Sequence, residues 1–179
     1  MTDIGGRRSI RLEDFDYSQE GAYFVTICTH NRTLLFEQYS ALRQIVLTNW
    51  TGLPNRFPFI NLDTFVIMPN HLHGIVVISQ ERPYITAGSL PDEREMSGME
   101  FQESVTLGRV IGAFKSLCTK DWRHHCLIQR LSAEMRLWQR NYYEHIIRND
   151  RELIQIREYI IENPLKWELD PDNPSNFTL

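Results

Sequence analysis

His71 and His73 stand one residue apart in "MPNHLHGIVV", just after a Pro-Asn turn and inside an apolar flank. On a strand, alternate side chains share a face, so both imidazoles project the same way while Leu72, Gly74 and Val76 project the other. A single histidine on such a strand is most often a satisfied core residue. Two at i and i+2 would need separate buried partners, and would repel if both were protonated. Chelation of a cation resolves both problems. The pair alone does not choose the chemistry, because zinc hydrolases and unrelated metal sites also carry His-x-His on strands.

A third donor is sought on the C-terminal helix predicted by "NDRELIQIREYIIEN", with Asn149 or Asp150 as N-cap and Pro164 just past its end. Its apolar stripe reads Leu153, Ile154, Ile156, Ile160 and Ile161. Tyr159 and Asn163 lie four apart at one edge of that stripe, where packing holds a side chain that can still reach a site. Without the histidine pair they would read as a core-boundary tyrosine and an ordinary helix-end asparagine.

The elements that must position these groups follow from pattern. "AYFVTICT" (22–29) is β-branched and aromatic, and predicts a strand. "EQYSALRQIVLTNW" places Leu42, Ile45, Val46, Asn49, Trp50 and Leu53 at helical spacing. "FINLDTFVIM" and "HLHGIVVI" predict two strands joined tightly through Pro69 and Asn70. Residues 79–103 hold prolines, glycines and charges, and predict a long mobile insertion. "SVTLGRVIGAFKSLCTKDW" predicts a helix through Val105, Val110, Ile111, Phe114, Leu117 and Cys118, and "RLWQRNYYEHIIR" a fourth strand. The order is βαββαβ plus a helix. It predicts one α+β domain over 1–179, a ferredoxin-like antiparallel sheet with helices on one face plus a C-terminal helix carrying the tyrosine. An acidic tail follows over about 168–179.

Composition bounds the rest. The chain has 179 residues, 42% hydrophobic and 23% charged, ordinary values for one globular domain. No apolar run reaches membrane length. Arg11, Glu13, Asp14 and Asp16 break a signal-peptide pattern after the twin arginines, so a cytoplasmic location is expected. Cys28, Cys118 and Cys126 are odd in number and far apart, which argues for idle thiols rather than disulfides. "CTKDWRHHC" matches no usual zinc spacing and reads better as a basic helix end. The net charge is −4, yet residues 104–148 carry eight Lys/Arg against three Asp/Glu, while 79–103 and 149–179 are acidic. Such a distribution allows a local surface for an anionic ligand; a chance cluster of solvated side chains is the plain alternative.

"MPNHLHGIVVI", "RLWQRNYYEHIIRN" and "REYIIENPLKW", in this order, resemble the REP-associated tyrosine transposases, relatives of the small single-tyrosine HUH transposases of bacterial insertion sequences. "RLEDFDYSQEGAYFVTICTHNR" and "LGRVIGAFKS" are similar too, so the likeness runs from about Arg11 to Trp167. "HLH" matches the HUH motif, and Tyr159 matches the nucleophile, ahead of Tyr142 and Tyr143, which read as strand residues. Asn163 matches the family's Gln or Asn four residues on.

The resemblance implies metal-dependent cleavage and rejoining of single-stranded DNA beside an imperfect hairpin or palindrome. His71, His73 and Asn163 would hold a divalent cation, Mg²⁺ or Mn²⁺ in the family. Two imidazoles and an amide, taken as ligands alone, would favour zinc, nickel or manganese, so Zn or Ni in a crystal would be no surprise. Tyr159 would attack phosphorus in line, leaving a 5′-phosphotyrosine and a free 3′-OH. Phenolate, with a pKa about 10, serves as nucleophile and as leaving group in the reverse step.

Arg109, Lys115, Arg123 and Arg148 are the candidates for phosphate contacts. His145 and Asn70 are candidates to stand behind the ligands. No membrane partner is expected, and either a monomer or a homodimer is compatible. Two other readings stay open: a DNA-hairpin-binding protein without transposition activity, and a zinc-dependent hydrolase using the His-x-His pair.

Overall fold

The computed structural model describes residues 19–79 and 105–176. Apart from Ser79, the expected insertion at 79–103 lies outside the described residues. The elements in chain order are β1 (Gly21–Cys28), a 3₁₀ turn (His30–Arg32), α1 (Leu35–Gln38), α2 (Ser40–Thr51), α3 (Leu53–Arg56), β2 (Ile60–Ile67), β3 (His71–Ile78), α4 (Leu107–Gln129), β4 (Tyr143–Ile147), α5 (Asp150–Glu162) and two further 3₁₀ runs, Asn163–Leu169 and Pro174–Asn176. The strands form one antiparallel sheet of order β2-β3-β1-β4. β3 thus lies between β1 and β2 and pairs antiparallel with both, the split βαβ of the expected α+β, ferredoxin-like arrangement.

Strand alternation sorts side chains onto two faces. Tyr23, Val25, Ile27, Leu72 and Val76 face α2 and α4, whose Leu42, Val46, Trp50, Val110, Phe114, Cys118 and Trp122 complete the main core. The spacing of four along both helices stacks these residues on one stripe. Gly74 belongs to this face because α2 crosses close to it: a Cβ there would sit 2.5 Å from Trp50 Cζ2. The opposite face carries Phe24 and Ile75, which pack against Ile160 of α5, flanked by Leu153 and Ile156. Ile154 and Ile161, expected in the same stripe, are exposed instead.

Three boundaries differ from the sequence reading, each for a local reason. The first helix breaks at Tyr39, whose backbone is extended, into α1 and α2. α4 runs on through "CTKDWRHHC": Cys118, Trp122 and Cys126 fall on its buried stripe, while His124 is exposed. That register separates the cysteines from the histidine and rules out the zinc cluster. The fourth strand is only Tyr143–Ile147, because the carbonyls of Gln139, Arg140 and Asn141 all accept from Lys115 Nζ, at 2.9, 3.4 and 3.1 Å. The three cysteines are free and buried. Among the described residues, no helix is long and apolar enough to cross a membrane.

Candidate functional site

His71 and His73 open β3 on the α5 face, opposite Cys28 and Thr26 of β1. The turn before them is held from two sides: Thr29 N donates to Asn70 O at 2.8 Å, and Phe36 N to Pro69 O at 3.0 Å. The Asn70 side chain then fixes His71. Its Nδ2 donates to the carbonyls of Arg32 (3.0 Å) and Asp172 (2.7 Å), so its Oδ1 faces His71 Nδ1 at 2.8 Å. That network assigns the proton to Nδ1 and leaves a lone pair on His71 Nε2. His73 Nδ1 lies 2.9 Å from Thr26 Oγ1.

The two Nε2 atoms face each other at 2.9 Å. Lone pairs on both atoms at this distance would need a cation between them; without one, Thr26 can donate to His73 Nδ1 while His73 Nε2 carries its proton and donates to His71 Nε2. Burial pushes both imidazoles down to about 3, so both are neutral near pH 7, as ligands must be.

α5 brings Tyr159 over the pair, its hydroxyl 3.3 Å from His73 Nε2. The tyrosine is 44% exposed, its ring edge-on to Phe24 at 5.9 Å. Burial raises the phenol above its ordinary range and Asp170 adds to the rise, while a hydrogen bond with Asn163 opposes it. Asn163, at the start of the 3₁₀ run after α5, is buried with no partner for its Oδ1. Tyr159 and His73 open onto a cleft of about 760 Å³, lined also by Phe24, Thr26, Tyr143 and Asp172. Tyr143 touches the edge of Phe24, and Tyr142 packs toward the helix-side core beside Lys115. All three tyrosines line the cleft, and the Tyr159 hydroxyl lies on the histidine pair.

The phosphate candidates are not gathered here. α4 packs on the far side of the sheet, and Arg109 and Arg123 are exposed on it. Arg123 lines a separate groove of about 880 Å³ with Lys120 and His124. Lys115 already donates to three carbonyls. Arg148 follows the end of β4 remote from the site, since Tyr143, not Ile147, pairs with Thr26. His145 is turned to Glu152, at 2.6 Å, and not into the site. The cleft instead has Arg32 and Arg140 on its wall.

Two acidic residues were missed by the sequence reading. The expected tail folds back as far as 176, bringing Asp170 Oδ2 to 3.8 Å from His71 Nε2. His71, His73 and Asp170 form a buried group whose donor atoms all lie within 4.8 Å of one another. Asp172 pairs with Arg32, whose Nε donates to Oδ1 at 2.8 Å. Their only signal in sequence is "DPDN" after a helix end, which also describes any solvated acidic turn. This donor set fits a divalent cation: the Nε2 atoms of two imidazoles face each other beside an unpartnered buried carboxylate oxygen.

The sheet order, the helix layer on one face and α5 on the other define an α+β fold. Its structural similarity is to a REP-associated tyrosine transposase bound to a REP hairpin, with TM-score 0.50 and 20% identity, covering 86% of this chain and 72% of that one. By sequence the chain is 24% identical over 152 residues to the REP-associated tyrosine transposase of Escherichia coli K12, covering 84% of this chain and 70% of the relative. It is 38% identical over 177 residues to an uncharacterized protein of Haemophilus influenzae, covering 93% of each. No protein-family model matches. The chain is a relative of the REP-associated tyrosine transposases.

Proposed function

We propose that this protein cleaves and rejoins single-stranded DNA beside hairpins, through a 5′-phosphotyrosine on Tyr159. The observation that carries the reading is the succession of Tyr159 Oη, His73 Nε2 and His71 Nε2 at 3.3 and 2.9 Å, with Tyr159 and His73 on the wall of an open cleft and His71 buried behind them. His71 and His73 would hold a divalent cation, with Asn163 presenting its unpaired amide oxygen from the helix end. Bound there, the ion supplies Lewis acidity at the scissile phosphate and offsets the charge of Asp170, which otherwise opposes ionisation of Tyr159.

The Tyr159 oxygen forms a bond to phosphorus, the bond from phosphorus to the 3′ oxygen breaks, and a free 3′-OH is left. The phosphodiester linkage is conserved in the protein–DNA bond, so rejoining needs no nucleotide cofactor. Phe24 and Thr26 hold the tyrosine and His73 in place from β1.

A second reading is favoured by one observation: a buried His-His-carboxylate group is also a ligand set of zinc hydrolases. A 3′-labelled single strand carrying a hairpin separates the readings. An adduct that survives denaturant and requires Mg²⁺ or Mn²⁺ supports strand transfer. Hairpin binding without an adduct leaves a DNA-binding module. Neither binding nor an adduct leaves the hydrolase in front.

A further inference from the structure

We infer that Asp170 is a direct, anionic ligand of the ion held by His71 and His73, which makes the site a two-histidine, one-carboxylate centre. The inference rests on the reading above that the histidine pair binds a cation, and it does not depend on Asn163. Asp170 is 5% exposed, and its two oxygens have different fates. Oδ1 accepts from Asp172 N at 2.6 Å, whereas Oδ2 has no hydrogen-bond partner and points to His71 Nε2 across 3.8 Å. That separation is too long for a hydrogen bond. It suits two ligands of one ion, since atoms each about 2.1 Å from a common metal lie roughly 3 to 4 Å apart.

Among the described residues no side chain donates a hydrogen bond to Oδ2, and Arg32 acts on the carboxylate only through space. The His71 ring directs its Nδ1 to Asn70. Arg32 is engaged with Asp172. A buried carboxylate oxygen left in this state is costly, and a divalent ion would remove the cost.

The chain is built to hold Asp170 in position. Pro164 ends α5 and the backbone tightens into the 3₁₀ run, which places Trp167 against the His71 ring at 6.1 Å. Asp170 O then accepts from Asn173 N at 3.0 Å and Asn176 Nδ2 at 2.9 Å. The Asn173 side chain, itself buried, donates to Trp167 O at 2.9 Å. A solvated tail would have no use for such fixing. A hard oxygen donor shifts the preference of the imidazole pair toward Mn²⁺ and Mg²⁺, and its charge lets the ion stay without DNA.

The test is Mn²⁺ binding to the full chain without DNA, read by calorimetry or by loss of the free-ion resonance, with melting of the metal-free protein alongside. Asp170→Asn should weaken Mn²⁺ at least about tenfold, the loss that even indirect partners of a ligand cause. Its metal-free form should melt no lower than the parent, because a buried uncompensated charge is gone. His71→Ala should also lose the ion. Asp170→Asn with parental affinity while His71→Ala loses it overturns this inference and leaves the histidine reading standing. Unchanged affinity in both overturns the two together. A metal-free Asp170→Asn that melts lower, with affinity lost in step, marks a structural carboxylate and also overturns it.

Discussion

Asp63 and Arg157 tie β2 to α5 at two points: Arg157 Nε donates to Asp63 Oδ1 at 2.9 Å, and a second guanidinium nitrogen donates to Oδ2. Arg157 lies two residues before Tyr159, so the contact sets how α5 sits over the sheet. The guanidinium holds the Asp63 carboxyl down to about 2, below its ordinary 3.8. A depressed carboxylate stabilises the fold above its unfolded value, and loses that contribution as pH falls through the folded one. The pair should therefore be intact above about pH 4 and be lost between about 3.8 and 2. Arg157 is partly exposed, so Asp63→Asn should cost only about 0.5–1 kcal/mol in urea denaturation at pH 7, and nothing near pH 2.

Tyr159→Phe should abolish the denaturant-resistant adduct and leave hairpin affinity nearly unchanged, since only the hydroxyl near His73 Nε2 is removed. Tyr143→Phe should retain the adduct. An adduct that persists in the first variant and vanishes in the second would reassign the nucleophile.

Asn70→Ala should injure both stability and metal binding. It leaves two carbonyls and His71 Nδ1 without their partner, at a cost of about 1–3 kcal/mol. It also frees the His71 tautomer, so Mn²⁺ affinity should fall by about 10–100-fold. Thermal melting and Mn²⁺ titration of the same preparation measure the two losses.

The faces of β3, the hairpin through Asn70 and the closeness of Tyr159 and Asn163 on one helix edge could all be read from local periodicity, because period 2 and period 3.6 fix which side chains are neighbours. Asp170 could not. It reaches His71 from 99 positions away through a 3₁₀ run that has no hydrophobic signature. Lys115 shows a related ambiguity: a lysine on a helix edge can reach phosphate or curl onto carbonyls, as it does here, and charge alone does not distinguish them. The positive charge of 104–148 was legible; that α4 carries much of it on the far side of the sheet from the histidines was not.

Those positions separate two outcomes for DNA binding. If hairpin DNA extends along the α4 groove, Arg123→Glu should flatten the salt dependence by about 0.7 log units or more per lost contact on single strands. Lys115→Ala should leave the slope unchanged while lowering stability, since three carbonyls lose their donor. Affinity measured across a salt series for parent and both variants decides this. Affinity independent of salt would remove the nucleic-acid surface altogether.

The register of β2 slips between Leu62 and Phe65, where Asp63 and Thr64 leave the ladder. Among the described residues, β2 is an outer strand of the sheet. A strand approaching from solvent would find its hydrogen-bonding groups out of step across that slip, with an ion pair turned toward α5 at the same place. The irregularity that anchors the tyrosine helix thereby also makes this outer strand a poor template for the growth of a sheet.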